Sequence, residues 1–132
     1  MAIIGCGLMG RKRALSLEGS GPTVVCDADP ARADALALEF PGCRVVADWR
    51  EAVALPEIAI VMVCTPHDQL APIGLAALTA GKHVLIEKPG ARNRAELLPL
   101  AELAKKKGLV AKVGFNHRFH PAFRQARAIL AS

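Results

Sequence analysis

The sequence predicts an α/β fold, a doubly wound parallel sheet of about six strands in order 3-2-1-4-5-6 with helices on both faces. Three observations predict it. Short apolar runs alternate with helix-patterned stretches along the chain, and the connections are short, which demands parallel pairing with right-handed crossovers. Residues 58–64 form a continuous apolar run, as a central strand covered on both faces requires. Glycines at 5, 7 and 10 sit between an apolar start and a helix-like stretch, and Asp27 closes the next apolar run.

Each element follows from local chemistry. Residues 2–4 read as strand one, 10–17 as the first helix and 23–26 as strand two. Asp29-Pro30 reads as an N-cap followed by an N1 proline, opening a helix to about Glu39. Residues 44–47 read as strand three, and Asp48 with Glu51 makes a capping-box-like start for a short helix through Ala54. Strand four, at 58–64, is followed by a helix from about Leu70 to Ala80, with Gly81 as its stop. Residues 83–86 read as strand five. Asn93 and Glu96 cap a helix that ends at Lys107 before Gly108, and 109–114 read as strand six. A last amphipathic piece spans 121–130. The expected division is a nucleotide-binding unit over 1–120 and a terminal helix over 121–132.

The stretch Gly5-Cys6-Gly7-Leu8-Met9-Gly10 carries the first chemistry. In a Rossmann-type unit the first glycine permits the turn out of the strand, the second lets a pyrophosphate approach the backbone, and the third lets helix and strand pack closely. The helix N-terminus at Leu8 and Met9 then offers N–H groups and a positive dipole end to phosphates. Asp27 is placed to accept from ribose hydroxyls and to repel a 2′-phosphate. NAD is therefore the expected cofactor, with NADP possible because Arg32 is close. The alternative is that Asp27 merely caps the following turn.

Three further strand ends face the same side. Thr65, Pro66 and His67 follow strand four, where the hydroxyl and the proline-shaped turn suit the nicotinamide ribose region; a lone loop histidine is more often simply exposed. Glu87-Lys88-Pro89 follows strand five. Lys88 beside a cationic nicotinamide is expected to have a lowered pKa and to exchange a proton with an alcohol, against the plainer reading of a surface ion pair. Asn116 and Arg118 follow strand six and are candidates to face cofactor or substrate, with Phe115 and Phe119 as packing residues. His117 and His120 lack an obvious third ligand, so no metal is expected.

Composition narrows the class. The 132 residues are 52% hydrophobic with no tyrosine, which suits an aliphatic α/β core. No apolar run reaches the roughly 18 residues of a membrane span, and no leader pattern opens the chain, so a cytoplasmic protein without membrane contact is expected. The four cysteines show no C-x-x-C spacing and read as buried thiols in a reducing compartment. The net charge of +5 comes largely from Arg11-Lys12-Arg13 and Lys105-Lys106-Lys107. The second cluster falls in a last helical turn, where cations complement the dipole, so a solvated basic face is expected rather than nucleic-acid binding.

Taken together, the Gly5 to Gly10 loop, Val25-Cys26-Asp27-Ala28-Asp29-Pro30, Cys64-Thr65-Pro66, the stretch 80–89 ending Glu87-Lys88-Pro89, and 114–121 resemble the glucose-fructose oxidoreductase / inositol dehydrogenase (Gfo/Idh/MocA) family in identity and order. The resemblance covers essentially the whole chain. It implies a nucleotide-binding domain of an oxidoreductase that transfers hydride to or from a sugar, inositol or related polyol, with Lys88 catalytic and the Lys88-Pro89 bond cis. The histidine that many members carry beyond the Thr-Pro pair is replaced by Asp68-Gln69-Leu70, and the usual residues before the first strand are missing. The family continues into a second domain that supplies the substrate pocket, so the chain is expected to be inactive in isolation, or a standalone NAD(H)-binding module. Phe123, Ala126, Ile129 and Leu130 share one face of the terminal helix, which implies self-association, a two-fold homodimer through that helix and strand six.

Overall fold

Backbone hydrogen bonding in a computed structural model, which describes residues 1–17, 19 and 21–131, joins six short strands into one parallel sheet. In chain order the elements are β1 (Ala2–Ile4), α1 (Leu8–Leu15), β2 (Val24–Cys26), α2 (Pro30–Leu38), β3 (Arg44–Val45), α3 (Trp49–Ala54) and β4 (Ile60–Val63). Then follow α4 (His67–Thr79), β5 (His83–Ile86), α5 (Arg94–Lys107), β6 (Ala111–Val113), a 3-10 turn (Asn116–Phe119) and α6 (Pro121–Leu130). The sheet order is β3-β2-β1-β4-β5-β6, as expected. Central β1 pairs Ile3 with Val25 on one side and with Met62 on the other.

The strand period of two divides the core. Ala2, Ile4, Val61, Val63, Val84 and Ile86 pack with residues of α3, α4 and α5, among them Ala52, Leu70, Ile73, Leu78 and Leu100. Ile3, Val25 and Met62 form a second cluster with Ala14 of α1 and Ala33 and Leu36 of α2. That second face is covered only over its β1–β2 half. Over the other half Ile60, His83, Leu85, Val110 and Lys112 border an open apolar groove of about 310 Å3.

Helix starts follow their caps. Asp29 accepts from Ala31 N–H at 3.1 Å, and Asp48 from Arg50 N–H at 2.9 Å. Asn93 accepts from Glu96 N–H at 3.0 Å, and Glu96 reaches back to Arg92 N–H rather than to the cap itself. Several bounds shift from expectation. α1 begins at Leu8 because extended Gly7 (φ −69°, ψ −164°) already serves as its N-cap. α4 begins at His67 because Pro66, fixed near φ −54°, acts as its N-cap, and the helix carries Pro72 within it. β3 shrinks to two residues and β4 to four, since a strand extends only as far as its neighbours pair with it. The 3-10 turn after β6 is new. α6 packs on that turn, with Phe123 against the rings of His117 and His120.

Candidate nucleotide-binding site

The turn from β1 into α1 is built by three glycines with three different jobs. Gly5 takes φ +94°, and a Cβ there would stand 2.6 Å from the Cys64 carbonyl carbon and oxygen, so the ends of β1 and β4 approach as closely as backbones can. A Cβ on Gly10 would lie 1.9 Å from the Gly5 carbonyl oxygen, so α1 presses directly onto the turn. A Cβ on Gly7 would meet nothing within 4 Å. Gly7 caps α1 without a side-chain hydrogen bond, so the first N–H groups of the helix are left for other partners.

Asp27, at the end of β2, buckles this turn in place. Cys6 N–H donates to its Oδ2 at 2.6 Å and Asp29 N–H donates to its Oδ1 at 2.9 Å. Asp27 thus caps the turn, and it also borders the cavity described next. Each carboxylate oxygen keeps a further lone pair for a ligand.

These residues border a cavity of about 880 Å3. It runs from Asp29, Arg32 and the 47–49 stretch, past Asp27, Gly5, Gly7, Leu8 and Met9, to Cys64, Thr65, Pro66, Asp68 and Gln69. Thr65 Oγ1 is buried and has no hydrogen-bond partner among the described residues. A buried hydroxyl of this kind calls for a partner from outside the chain. The open space at Gly7, the helix start without a side-chain cap and this orphaned hydroxyl together fit a dinucleotide. Gly7, Leu8 and Met9 would hold the pyrophosphate, Asp27 a ribose, and Thr65 with Pro66 the far end.

The other candidates lie off the cavity wall. Gly10 sits behind it as packing. His67 is the exposed first residue of α4. Lys88 is exposed after β5, and its bond to Pro89 is cis. Glu87 is buried beneath it and belongs to Arg13 of α1. Arg13 Nε donates to Glu87 Oε1 at 2.6 Å, Nη2 closes on the same oxygen, and Nη2 also donates to Asn116 Oδ1 at 3.1 Å. Side-chain exposures of 15% and 7% make this a buried ion pair. Gly114 makes room for it: a Cβ there would stand 2.7 Å from Arg13 Nη2. Arg118 is exposed on the 3-10 turn.

Arg13 and Trp49 are the residues sequence reasoning missed. Arg13 belongs to the basic run Arg11-Lys12-Arg13, yet its place between the buried Gly10 and Ala14 puts it on the sheet side of α1. Trp49 follows the Asp48 cap directly and lines the cavity. Burial raises the pKa of all four thiols. Burial, reinforced by Asp27, pushes Cys6 up to about 12; burial, reinforced by Glu87, does the same for Cys64. Burial, with Asp48 and Asp27, pushes Cys26 up to about 11. All four cysteines are unpaired, and no group of metal-ligating side chains forms among the described residues. Among the described residues no helix is long and apolar enough to cross a membrane.

A family profile described as the oxidoreductase family, NAD-binding Rossmann fold, matches residues 1–115. The chain belongs to this Gfo/Idh/MocA family. It is an NAD-binding Rossmann domain. The levoglucosan dehydrogenase of Pseudarthrobacter phenanthrenivorans is 33% identical over 138 residues, which cover 96% of this chain and 35% of that protein. A myo-inositol dehydrogenase of Streptomyces leeuwenhoekii is 37% identical over 132 residues, covering 97% of this chain and 40% of its own length. The structure of GenD2 from gentamicin A biosynthesis, in complex with NAD, superposes with a TM-score of 0.92 at 32% identity, over 99% of this chain and 38% of that one. The chain thus spans well under half the length of the relatives it matches.

Proposed function

We propose that the chain binds NAD(H) in the β1–β4 crevice as the nucleotide-binding part of an oxidoreductase acting on a sugar, inositol or related polyol. The observation that carries the reading is the open cradle at Gly7, bordered by the uncapped start of α1 and by Asp27. Relatives named for levoglucosan and myo-inositol support the substrate class. When bound, the cofactor supplies the hydride acceptor or donor. Lys88, exposed at the end of β5, exchanges the proton of the substrate hydroxyl, and the Arg13–Glu87 pair holds that strand end. Asn116 serves through Arg13. His67 and Arg118 are left as rim residues. Asp27 repels a 2′-phosphate, so NAD(H) binds more tightly than NADP(H). Calorimetry with both cofactors tests this, and equal or tighter NADP(H) binding refutes the role of Asp27.

We assign no turnover to these 132 residues alone, because Lys88 stands exposed and off the cavity wall. NADH formation from inositol or glucose, abolished by Lys88→Ala, would overturn that. A second reading, an NAD(H)-binding module without catalysis, is favoured by the position of Lys88 outside the cavity; it requires Lys88→Ala to be silent in every longer form of the protein. The assembly we propose is a two-fold dimer through α6 and β6, since Phe119 and Phe123 are exposed. Sedimentation at micromolar concentration, unchanged by Phe123→Asp and showing only monomer, would sink it. We assign no nucleic-acid or membrane partner. Arg11, Arg13, Arg44 and Arg92 are each paired with a glutamate, and Lys105, Lys106 and Lys107 lie in the last turn of α5, where they complement the helix dipole. Unpaired thiols suit a cytoplasmic protein.

A further inference from the structure

Among the described residues two charged side chains are buried, Glu87 and Lys82. Glu87 has Arg13. Lys82 has no carboxylate partner among the described residues; its Nζ donates instead to the Leu55 carbonyl oxygen at 2.7 Å. Taking an ammonium out of water is costly, and an apolar side chain of similar length would fill the space without that cost. What the ammonium grips is the end of a helix. Leu55 is the C-cap of α3, where the last carbonyls carry the negative end of the helix dipole. The lysine is itself anchored. Its N–H donates to the Ala77 carbonyl at 2.9 Å and Gly81 N–H to the Leu78 carbonyl at 3.1 Å, a helix stop in which Gly81 takes φ +79°. His83, the first residue of β5, then donates its N–H to the Ala59 carbonyl at 2.9 Å.

α3 is short and lightly held. Of its six residues only Ala52 and Val53 are buried. The Asp48 cap and the Arg50–Asp48 contact are internal to its first turn. Yet Trp49, with Ala47 and Asp48 before it, forms one wall of the nucleotide cavity. A helix of this length is a rod of about 9 Å, so a grip at Leu55 sets the height and tilt of Trp49 less than two turns away. We propose that Lys82 is a positioning residue for the nucleotide cavity. By holding the C-terminal end of α3 it fixes the 47–49 wall, from outside the cavity and without touching a ligand. The proposal rests on the dinucleotide reading above and adds a remote residue that sets the affinity.

Trp49 is the single tryptophan of the chain, so its fluorescence reports on this wall alone. Lys82→Met keeps the buried stem and removes the donor. It is expected to raise acrylamide quenching of Trp49 and to weaken NAD about 3- to 30-fold by calorimetry, the range for residues that act on a site without contact. Leu100→Ala, a core truncation in α5, controls for general loosening. It is expected to lower the melting temperature at least as far, yet to keep NAD affinity within about twofold of the parent. By reciprocity, NAD is expected to slow hydrogen exchange of the parent's amides at 52–55, at the gripped end of α3. Parent-like quenching and NAD affinity in a folded Lys82→Met overturn the proposal and leave the dinucleotide reading intact. So do equal affinity losses in Lys82→Met and Leu100→Ala, and so does exchange at 52–55 that NAD leaves unchanged, a result that needs no variant to fold. A parent protein that does not bind NAD removes the dinucleotide reading and the proposal with it.

Discussion

Gly7 and Gly10 separate binding from folding. At Gly7 the backbone is extended and a Cβ meets nothing within 4 Å, so a Cβ adds no clash to the fold. Loss of unfolded-state entropy favours the substituted protein by about 0.4–1 kcal/mol, and the poorer N-cap offsets a similar amount. Gly7→Val should therefore keep the parent melting temperature to within a few degrees. The same side chain fills the cradle over the helix N–H groups. Losing two charge-assisted hydrogen bonds, at about 1.5–3 kcal/mol each, weakens NAD by at least about 100-fold. Gly10→Ala is the opposite case. Its Cβ would lie 1.9 Å from the Gly5 carbonyl oxygen, 3.0 Å from the Gly5 carbonyl carbon and 3.4 Å from Ile3 Cγ2, and backbone rather than a flexible side chain must yield. Overpacking of that kind costs about 3 kcal/mol, roughly 10 °C in a domain of this size. Thermal melts with and without NAD, together with calorimetry, measure both quantities. If Gly7→Val binds NAD like the parent, the cradle is not the site. If it melts as early as Gly10→Ala, the space at Gly7 is not open.

Arg13→Met strands the buried Glu87 carboxylate and should cost about 3–5 kcal/mol, and adding Glu87→Met should recover much of the loss; denaturant unfolding of the three variants decides it, and additive losses would mean the two residues are not coupled. Asp27→Asn removes the charge that opposes a 2′-phosphate and weakens one of the two hydrogen bonds to the loop. Its NAD-over-NADP preference should narrow at least about fivefold at a stability cost of about 1–2 kcal/mol, read by calorimetry and melts. The raised thiols make the fold sensitive to alkali. Cys6, Cys26 and Cys64 lie near 12, 11 and 12 in the folded chain against a starting value of 9.0, so the native state holds protons that the unfolded state releases. Their contribution is fully present below pH 9 and is lost as pH rises from 9 toward 12; Cys64→Ala should flatten that decline in a pH series of urea titrations.

What could be read from the sequence was what local chemistry decides. Asp29-Pro30, Asn93 with Glu96, and Lys107-Gly108 mark helix ends because a cap is satisfied within a few residues. The strand order follows from parallel pairing and a glycine turn whose ligand must lie at the β1–β4 switch. Gly5, Gly7, Leu8, Met9, Asp27, Thr65 and Pro66 all border one cavity for the same reason. Residues that meet only through tertiary structure were not legible. Arg13 is 74 positions from Glu87 and 103 from Asn116, and no periodicity carries that pairing. Trp49 reaches the crevice only because β3 delivers α3 beside β1, and the two-residue length of β3 reflects its neighbour rather than its own residues.

The half-covered sheet has a mechanical consequence. β1 and β2 lie between helices on both faces, whereas β5 and β6 carry helices on one face and an open groove on the other. Amide protons of residues 2–4 and 24–26 should therefore exchange with solvent most slowly, and those of β6, an edge strand of three residues, among the first. The open cradle at Gly7, proposed to take the phosphates, is thus anchored at the better-covered part of the sheet. Lys88 and Asn116 hang from the more compliant part, joined to the stiff part through the Arg13 tie. The cradle proposed for phosphates and the lysine proposed for proton transfer accordingly sit on opposite sides of a stiffness boundary within a single sheet.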